Sequence, residues 1–423
     1  MKLTKLSLAV MVALGTFSVT ASAIPLEDAI KDVDVSGYLR YRYTYDDDES
    51  KDNESKGEHG FKGVVNFKAA LDDNFFTVVG LQYDSRDPSG EKGANSWNFD
   101  GKASSTEEDY DDFKLRQALL GYTIGNTTIM AGRQEVGAFF TDDMVGDGIK
   151  VLNQDIEGLT LAAMAFDNLD NDSDIATLNL GKALYGPKGL LRGKPGIDAG
   201  AMLSRYRETN EHNLYGVAAI GSYDPLSFQL WYASLIDVTD LFAAELAFNF
   251  DLDPVMLGVK AQYAFSSVDG DFEELTSNLA DDAQFYAAEL TAEVAGFDLS
   301  AGYINFEADS KDKVSVISYE DQGAFISPGE ELLDYTLFEG ENWFWFAGAG
   351  YTFFDKLRIG GEYIDGENKT NAGTQDQSEW VARIDYAHSK NLKFKTWYSQ
   401  VNYDGAGEDY DDNRFRFEAK YSF

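Results

Sequence analysis

From Val33 onward, hydrophobic and polar residues alternate in one segment after another. In VDVSGYLRYRYTY, Val33, Val35, Leu39, Tyr41 and Tyr43 share one parity, and Asp34, Ser36, Arg40, Arg42 and Thr44 share the other. VMLGVKAQYAF sets Val255, Leu257, Val259, Ala261, Tyr263 and Phe265 against Lys260 and Gln262. EWVARIDYA sets Trp380, Ala382, Ile384 and Tyr386 against Glu379, Arg383 and Asp385. The chain closes the same way, with Phe415, Phe417, Ala419, Tyr421 and Phe423 opposing Arg414, Arg416, Glu418, Lys420 and Ser422. A period of two gives a strand one apolar and one polar face, whereas a helix would scatter both sets around its axis. A soluble sandwich and a membrane barrel both fit this pattern, so the connections have to separate them.

Short turns and long acidic stretches take turns along the chain. The short ones fall at 71–74, 124–127, 154–158, 223–226, 252–254, 295–297, 353–356 and 388–391, and the long ones include 46–58, 85–112 and 269–282. An up-and-down barrel whose two ends lie on one side has one fewer turn than it has loops. Eight turns and about nine loops therefore predict a transmembrane antiparallel barrel of about 18 strands, with short turns on one side and long loops on the other. The strand segments are long enough to cross a bilayer at a tilt. The link near Val238 is shorter than its fellows. Two stretches break the alternation. One is EVGAFFTDDMVGDGIKV (135–151), between the fifth and sixth strands. The other is 169–210, the longest connection, with a short helix expected near Ile175 to Leu184.

Composition narrows the picture further. Lys2 and Lys5, an apolar run from Leu6 to Phe17, and Ala21 and Ala23 in an A-x-A pattern read as a signal peptide over 1–23. The remainder, 24–423, is expected to be a single barrel domain. No later run is long and apolar enough for a membrane helix. The sequence has 7 Pro and no Cys, so no Pro-rich linker divides it and no thiolate site is possible. Aromatics reach 14 %, which suits a membrane interface where rings sit half in lipid and half in water. The formal charge is −38, or −40 once Lys2 and Lys5 are removed. That excludes nucleic acid as a partner and favours cations nearby. Only His59, His212 and His388 are available for nucleophilic catalysis, and no G-x-S-x-G or H-E-x-x-H motif occurs. No enzyme is expected.

Several stretches together resemble the major outer membrane porins of Campylobacter and its relatives. They are IPLEDAIKDVDVSGYLRYRY, MAGRQEVGAFFTDDMVGDGIKVLNQDIEGLTLAAMAFD, NLYGVAAIGSYD, VISYEDQG, VARIDYAHSKNLKFKTWYSQVNYD and FRFEAKYSF. They spread over the whole chain. The resemblance implies an outer-membrane barrel of eighteen strands, a homotrimer, a channel for small hydrophilic solutes, and a constriction made by a loop folded into the lumen. Outer-membrane lipid, lipopolysaccharide and the barrel-assembly machinery are the other expected partners, the last reading Tyr421 and Phe423 at the C-terminus. The alternative function is a surface barrel acting mainly as an adhesin or coat protein.

A channel's site is a field rather than a reaction, set by charged side chains at its narrowest point. The candidate wall set is cationic: Arg40, Arg42, Arg116 and Arg133, with Arg383, Arg414 and Arg416 as further members. The resemblance adds weight to Arg133, whose context carries a pore arginine in related porins. The candidate loop set is anionic: Asp142, Asp143 and Asp147. Each of these could equally be a rim residue or a solvated turn. Asp142 and Asp143 could also contribute to a calcium site, although six or more oxygens are needed and no full set is visible. Gln262, on the polar parity, is expected to tolerate substitution.

Overall fold

The computed structural model describes residues 33–48, 54–89, 111–169, 212–276, 278–319, 322–333, 338–405 and 409–423. The expected signal peptide, and the expected 169–210 loop with its helix, lie outside the described residues apart from Leu169.

Eighteen strands run antiparallel to their neighbours and close on themselves. In chain order the first nine are β1 Asp34–Asp48, β2 Glu54–Ala70, β3 Phe75–Ser89, β4 Asp111–Ile124, β5 Thr127–Glu135, β6 Val145–Asn153, β7 Leu159–Leu169, β8 Leu214–Tyr223 and β9 Leu226–Leu235. The second nine are β10 Thr239–Asp251, β11 Val255–Val268, β12 Ala283–Val294, β13 Phe297–Ala308, β14 Glu341–Phe353, β15 Leu357–Thr370, β16 Gly373–Ala387, β17 Leu392–Gly405 and β18 Tyr410–Ser422. The seam pairs β1 with β18, from Tyr38 opposite Ser422 to Asp48 opposite Asp412.

All eight expected short turns are present at the expected places. At 71–74 the Asp72 carboxylate accepts the backbone N–H groups of Asn74 and Phe75 at 2.8 and 2.7 Å, which fixes the reversal. The long side departs from expectation. β1 continues to Asp48, β2 starts at Glu54 and β3 continues to Ser89, so strand replaces much of the loop predicted over 46–58 and the start of 85–112. Polar composition had marked these as loops, but a ladder hydrogen-bonds through its backbone whatever the side chains are. The stretch 269–282 holds a helix, α1 Gly270–Leu275, whose N-cap Asp269 accepts from the Asp271 N–H. Two-residue strands at Ala280–Asp281, Val314–Ser315 and Phe338–Glu339 form a small second sheet at this end.

The outward parity is apolar nearly all round: Val35, Leu39, Tyr41, Leu257, Val259, Tyr263, Trp380, Ile384, Tyr421 and many others are exposed. Water would not tolerate such a belt on a monomer, and hydrocarbon would. Ile384 is 45 % exposed on the outward row of β16, three residues before the strand ends at Ala387. Ile384→Lys is expected to cost about 2–4 kcal/mol if it lies near the midplane. Urea titration of the refolded barrel in bilayers would measure this, and an unchanged midpoint would show that the facing is inverted.

The inward parity is not uniformly wet, contrary to expectation. From β5 to β15 the inward side chains include Met130, Leu152, Met164, Phe166, Leu214, Trp231, Ala243, Phe285, Ile304, Phe306, Phe344, Phe346 and Ile364, and they form one contiguous core. Of the remaining wall, β16–β18 and β1–β2 carry Arg383, Lys395, Arg414, Arg416, Lys420, Arg40, Arg42 and Lys62 inward, and β3 sets Asp84 opposite Lys62. The barrel therefore has an oily half and a charged half, although the Lys260–Glu289 and Arg358–Asp298 pairs face inward on the oily side towards the short turns.

Candidate pore constriction

Two irregular segments fill the oily half. After β5 the chain turns inward, and the Val136 N–H to Met144 carbonyl bond at 2.9 Å closes the neck of a nine-residue loop, 136–144. Phe139 and Phe140 in this loop are buried, as are Val136, Ala138 and Met144. Such a loop has to dock on an apolar surface, and the inner wall of β5–β15 supplies one.

The second segment, 316–333, described over 316–319 and 322–333, lies between β13 and β14 and meets the first. The Tyr319 and Ala324 N–H groups donate to the carbonyls of Phe140 and Phe139 at 2.9 and 2.7 Å. Phe139 meets Phe325 edge-on at 5.0 Å, Phe140 meets Tyr319 at 5.9 Å, and Phe325 meets Phe285 of the wall at 4.5 Å. Gly323 permits the approach: its φ is +53°, and a Cβ there would stand 2.4 Å from the Phe139 carbonyl oxygen. The Tyr319 hydroxyl donates towards the Ala233 and Thr239 carbonyls, each at 3.1 Å. Gln262 of β11 grips the segment like a strand neighbour, donating to the Ala324 carbonyl at 3.0 Å and accepting the Ile326 N–H at 2.7 Å. Gln262 is thus a buried clamp rather than the tolerant lumen residue expected from its parity.

The acidic edges of the two segments face the charged half. Asp143 meets Lys62 at 3.0 Å and Arg116 at 3.6 Å, and its carbonyl accepts from Arg116 at 2.9 Å. Glu330 meets Arg383 at 2.8 Å and Lys395 at 2.7 Å, and Glu331 pairs with Arg414. Behind these pairs the wall keeps an unusual row. Lys62, Arg40, Lys420 and Lys393 stand directly opposite one another across β2, β1, β18 and β17. Like charges in register destabilise a sheet, so water or counterions have to stand over them. Glu418, in the next row, lies 4.0 Å from Arg40 and relieves part of this, while binding Arg42 at 2.8 Å.

Of the sequence candidates, Arg40, Arg42, Arg116, Asp142 and Asp143 are brought towards this region. Arg116 is buried and also donates to Gln82 at 2.7 Å and Glu135 at 3.2 Å. Asp142 keeps an exposed surface but stands among protein groups. Burial first, and the Asp143 carboxylate second, push its carboxyl above the usual range, against Lys62 and Arg116. Arg133 and Asp147 are not brought there. Arg133 lies opposite Ala118 and Asp147, in line with the Leu120–Ala131 pair, and Asp147 shares its parity with Ile149. Leu120 and Ile149 are exposed, so this row faces outward. There Arg133 meets Asp147 at 3.5 Å and donates to the Leu115 carbonyl at 2.7 Å, and Asn168 donates to Asp147 at 2.8 Å. The expectation had assumed that charge marks the lumen, and the register corrects it. Asp143 Oδ2 is committed to Lys62, and no three acidic or histidine side chains among the described residues are placed to hold a metal.

Tyr421 and Phe423 are exposed on the outer face. Sequence reasoning missed 316–333, Lys62, Lys395, Lys420 and Glu330. The one available signal was that strands such as LTLAAMAF and FWFAGAG are apolar on both parities, which a wet lumen does not require.

A model described as Campylobacter major outer membrane protein matches residues 1–421. No curated protein matches the chain. Solved structures share the fold at low identity. A BenF-like porin from Pseudomonas fluorescens Pf-5 is 15 % identical, with a TM-score of 0.67 over 92 % of this chain and 99 % of that one. OccAB4 of Acinetobacter baumannii is 14 % identical, with a TM-score of 0.67 over 92 % and 98 %. OccK2 (OpdF) of Pseudomonas aeruginosa, in complex with glucuronate, is 13 % identical, with a TM-score of 0.67 over 93 % and 99 %.

Proposed function

The chain belongs to the Campylobacter major outer membrane protein family, a family of outer-membrane β-barrel porins, and on that premise we propose that it passes small hydrophilic solutes and ions through the charged half of its barrel with a weak preference for cations. One observation carries this reading: acids on two inserted segments oppose cations on the wall, with β16–β18 and β1–β2 left lined by charge instead of core. Opposed rows make a transverse field. It favours solutes that can turn a dipole into it, and it costs apolar solutes the contacts they cannot replace. The glucuronate bound by OccK2 is a carboxylate sugar. A solute of that kind would meet Lys62, Arg40, Lys420 and Lys393 here.

Ion preference follows from a near cancellation. Asp143, Glu330 and Glu331 are each paired with wall cations, so the local charges largely offset. The wider field, from a chain of formal charge −38, then decides for cations. It acts over about 10 Å at 0.1 M salt, so the preference fades as salt rises.

Reversal potentials in planar bilayers under a KCl gradient test this. The wild type is expected on the cation side. Asp142→Asn with Asp143→Asn shifts it towards anions, because Lys62 and Arg116 lose their counter-charge. Arg133→Gln, on the outer face, leaves it unchanged. Acidification shifts it towards anions as well: the Asp142 carboxyl is raised, so it takes up its proton at a higher pH than an ordinary aspartate. An anion-selective wild type, or a double variant with unaltered potential, would sink the reading.

A further inference from the structure

Glu379 of β16 is fully buried and faces inward. A buried carboxylate needs compensation, and this one receives it from a segment that is not part of the wall. Its Oε1 accepts the N–H groups of Glu330 at 2.9 Å and Glu331 at 3.1 Å, and its Oε2 accepts that of Leu332 at 3.0 Å. Ser399 of β17 adds a hydroxyl bond at 2.6 Å to Oε1. Three successive N–H groups converging on one anion form a nest. Gly329 starts the nest with a φ of +81°, and a Cβ there would lie 2.2 Å from Glu379 Oε2, so the carboxylate is seated against bare backbone. Glu362 takes the Gly329 N–H at 2.9 Å, and Arg383 donates to the Gly329 carbonyl at 2.7 Å. All these contacts come at one end of the 316–333 segment. Further back, Gln262 of β11 holds the segment at Ala324 and Ile326, and the segment's own Tyr319 donates its hydroxyl to the Ala233 carbonyl of β9.

We infer that Glu379 is the positioning residue of this channel: by filling the backbone nest at 330–332 it fixes where the 316–333 segment ends its crossing of the lumen, and so sets both the aperture and the place of the Glu330 and Glu331 carboxylates. The inference rests on the charged half being the conducting path. A carboxylate is required. Glutamine would turn an NH2 donor towards N–H donors, whereas the carboxylate offers only acceptors. A cation at the same place would be repelled by the nest. The neighbouring Glu330 then sits between Arg383 and Lys395 only because its own backbone is tethered.

The test uses the absence of Cys in the chain. Leu333 is buried, so a Leu333→Cys reporter in the full barrel is shielded from a water-soluble maleimide. Adding Glu379→Gln is expected to speed labelling roughly ten- to hundredfold, as several charge-assisted bonds are lost. Single-channel conductance and open-channel noise should rise together, while heat-modifiable gel mobility stays that of a folded barrel. Ser399→Ala removes one bond and should move both readouts the same way by less. It also keeps the test valid if Glu379→Gln fails to fold. Faster labelling with unaltered conductance would uphold the positioning role and overturn the assignment of the conducting path. Unaltered labelling in either folded variant would overturn the inference.

Discussion

A chain lacking Phe423 is expected to vanish from the outer membrane rather than to form a slightly weaker barrel. Phe423 and Gly37 exchange two backbone hydrogen bonds, N–H to O at 3.0 Å and 2.9 Å, which extend the β1–β18 seam by one step. Their loss would cost about 1 kcal/mol each. The ring is exposed and stacks on Tyr421 at 6.0 Å, which adds little more. Stability alone therefore predicts a modest effect in a barrel with a whole seam of paired residues. The expected loss is larger because the terminal run of outward aromatics, Phe415, Tyr421 and Phe423, is what the assembly machinery would read. Surface levels and heat-modifiable mobility separate the two. Normal amounts of folded, surface-exposed truncated protein would remove the recognition role and leave only the two bonds.

Phe139→Ala is expected to undock the inserted segments and raise single-channel conductance severalfold. The magnitudes decide this. Deleting a buried Phe costs about 3–5 kcal/mol. Phe139 is 2 % exposed and meets both Phe140 and Phe325. The two backbone bonds and the Phe140–Tyr319 edge contact that also join the segments supply only about 1 kcal/mol each, less than the lost ring. The Asp142 and Asp143 carboxylates leave with the loop, and the reversal potential should shift towards anions in the same recordings. Unchanged conductance in a folded Phe139→Ala barrel would mean that the two segments do not border the path.

Much of the architecture was legible in the sequence because it is periodic. Val35, Leu39 and Tyr41 against Arg40 and Arg42 sorted the faces of β1, and the short turns after Ala70, Ile124 and Asn153 needed only local chemistry. Strand ends were less legible, since Asp46 to Asp48 and Glu54 to Glu58 are polar and still laddered. At the constriction, parity placed Arg40 and Arg42 correctly on the inner face. Charge misled at Arg133 and Asp147, an ion pair whose parity, shared with Ala131 and Ile149, sets it on the outward row. The 316–333 segment was out of reach for another reason. Its conformation is fixed by Phe139, Gln262 and Glu379, none of them near it in sequence, and nothing in VISYEDQGAFISPGEE is periodic.

The division of the interior has a consequence for how such a channel can change over generations. On the β5–β15 side a replacement is judged by volume, because the side chains interlock with two buried segments. On the charged side Arg40, Lys395, Lys420 and their neighbours can be exchanged for other polar residues with little disturbance to that packing. The charge that a solute would meet and the packing that holds the fold therefore lie largely on different residues, with Phe139 and Glu379 belonging to both. If the charged wall is the path, as proposed, a population exposed to a toxic solute can retune what enters by altering that wall, with the scaffold that makes the barrel left as it was.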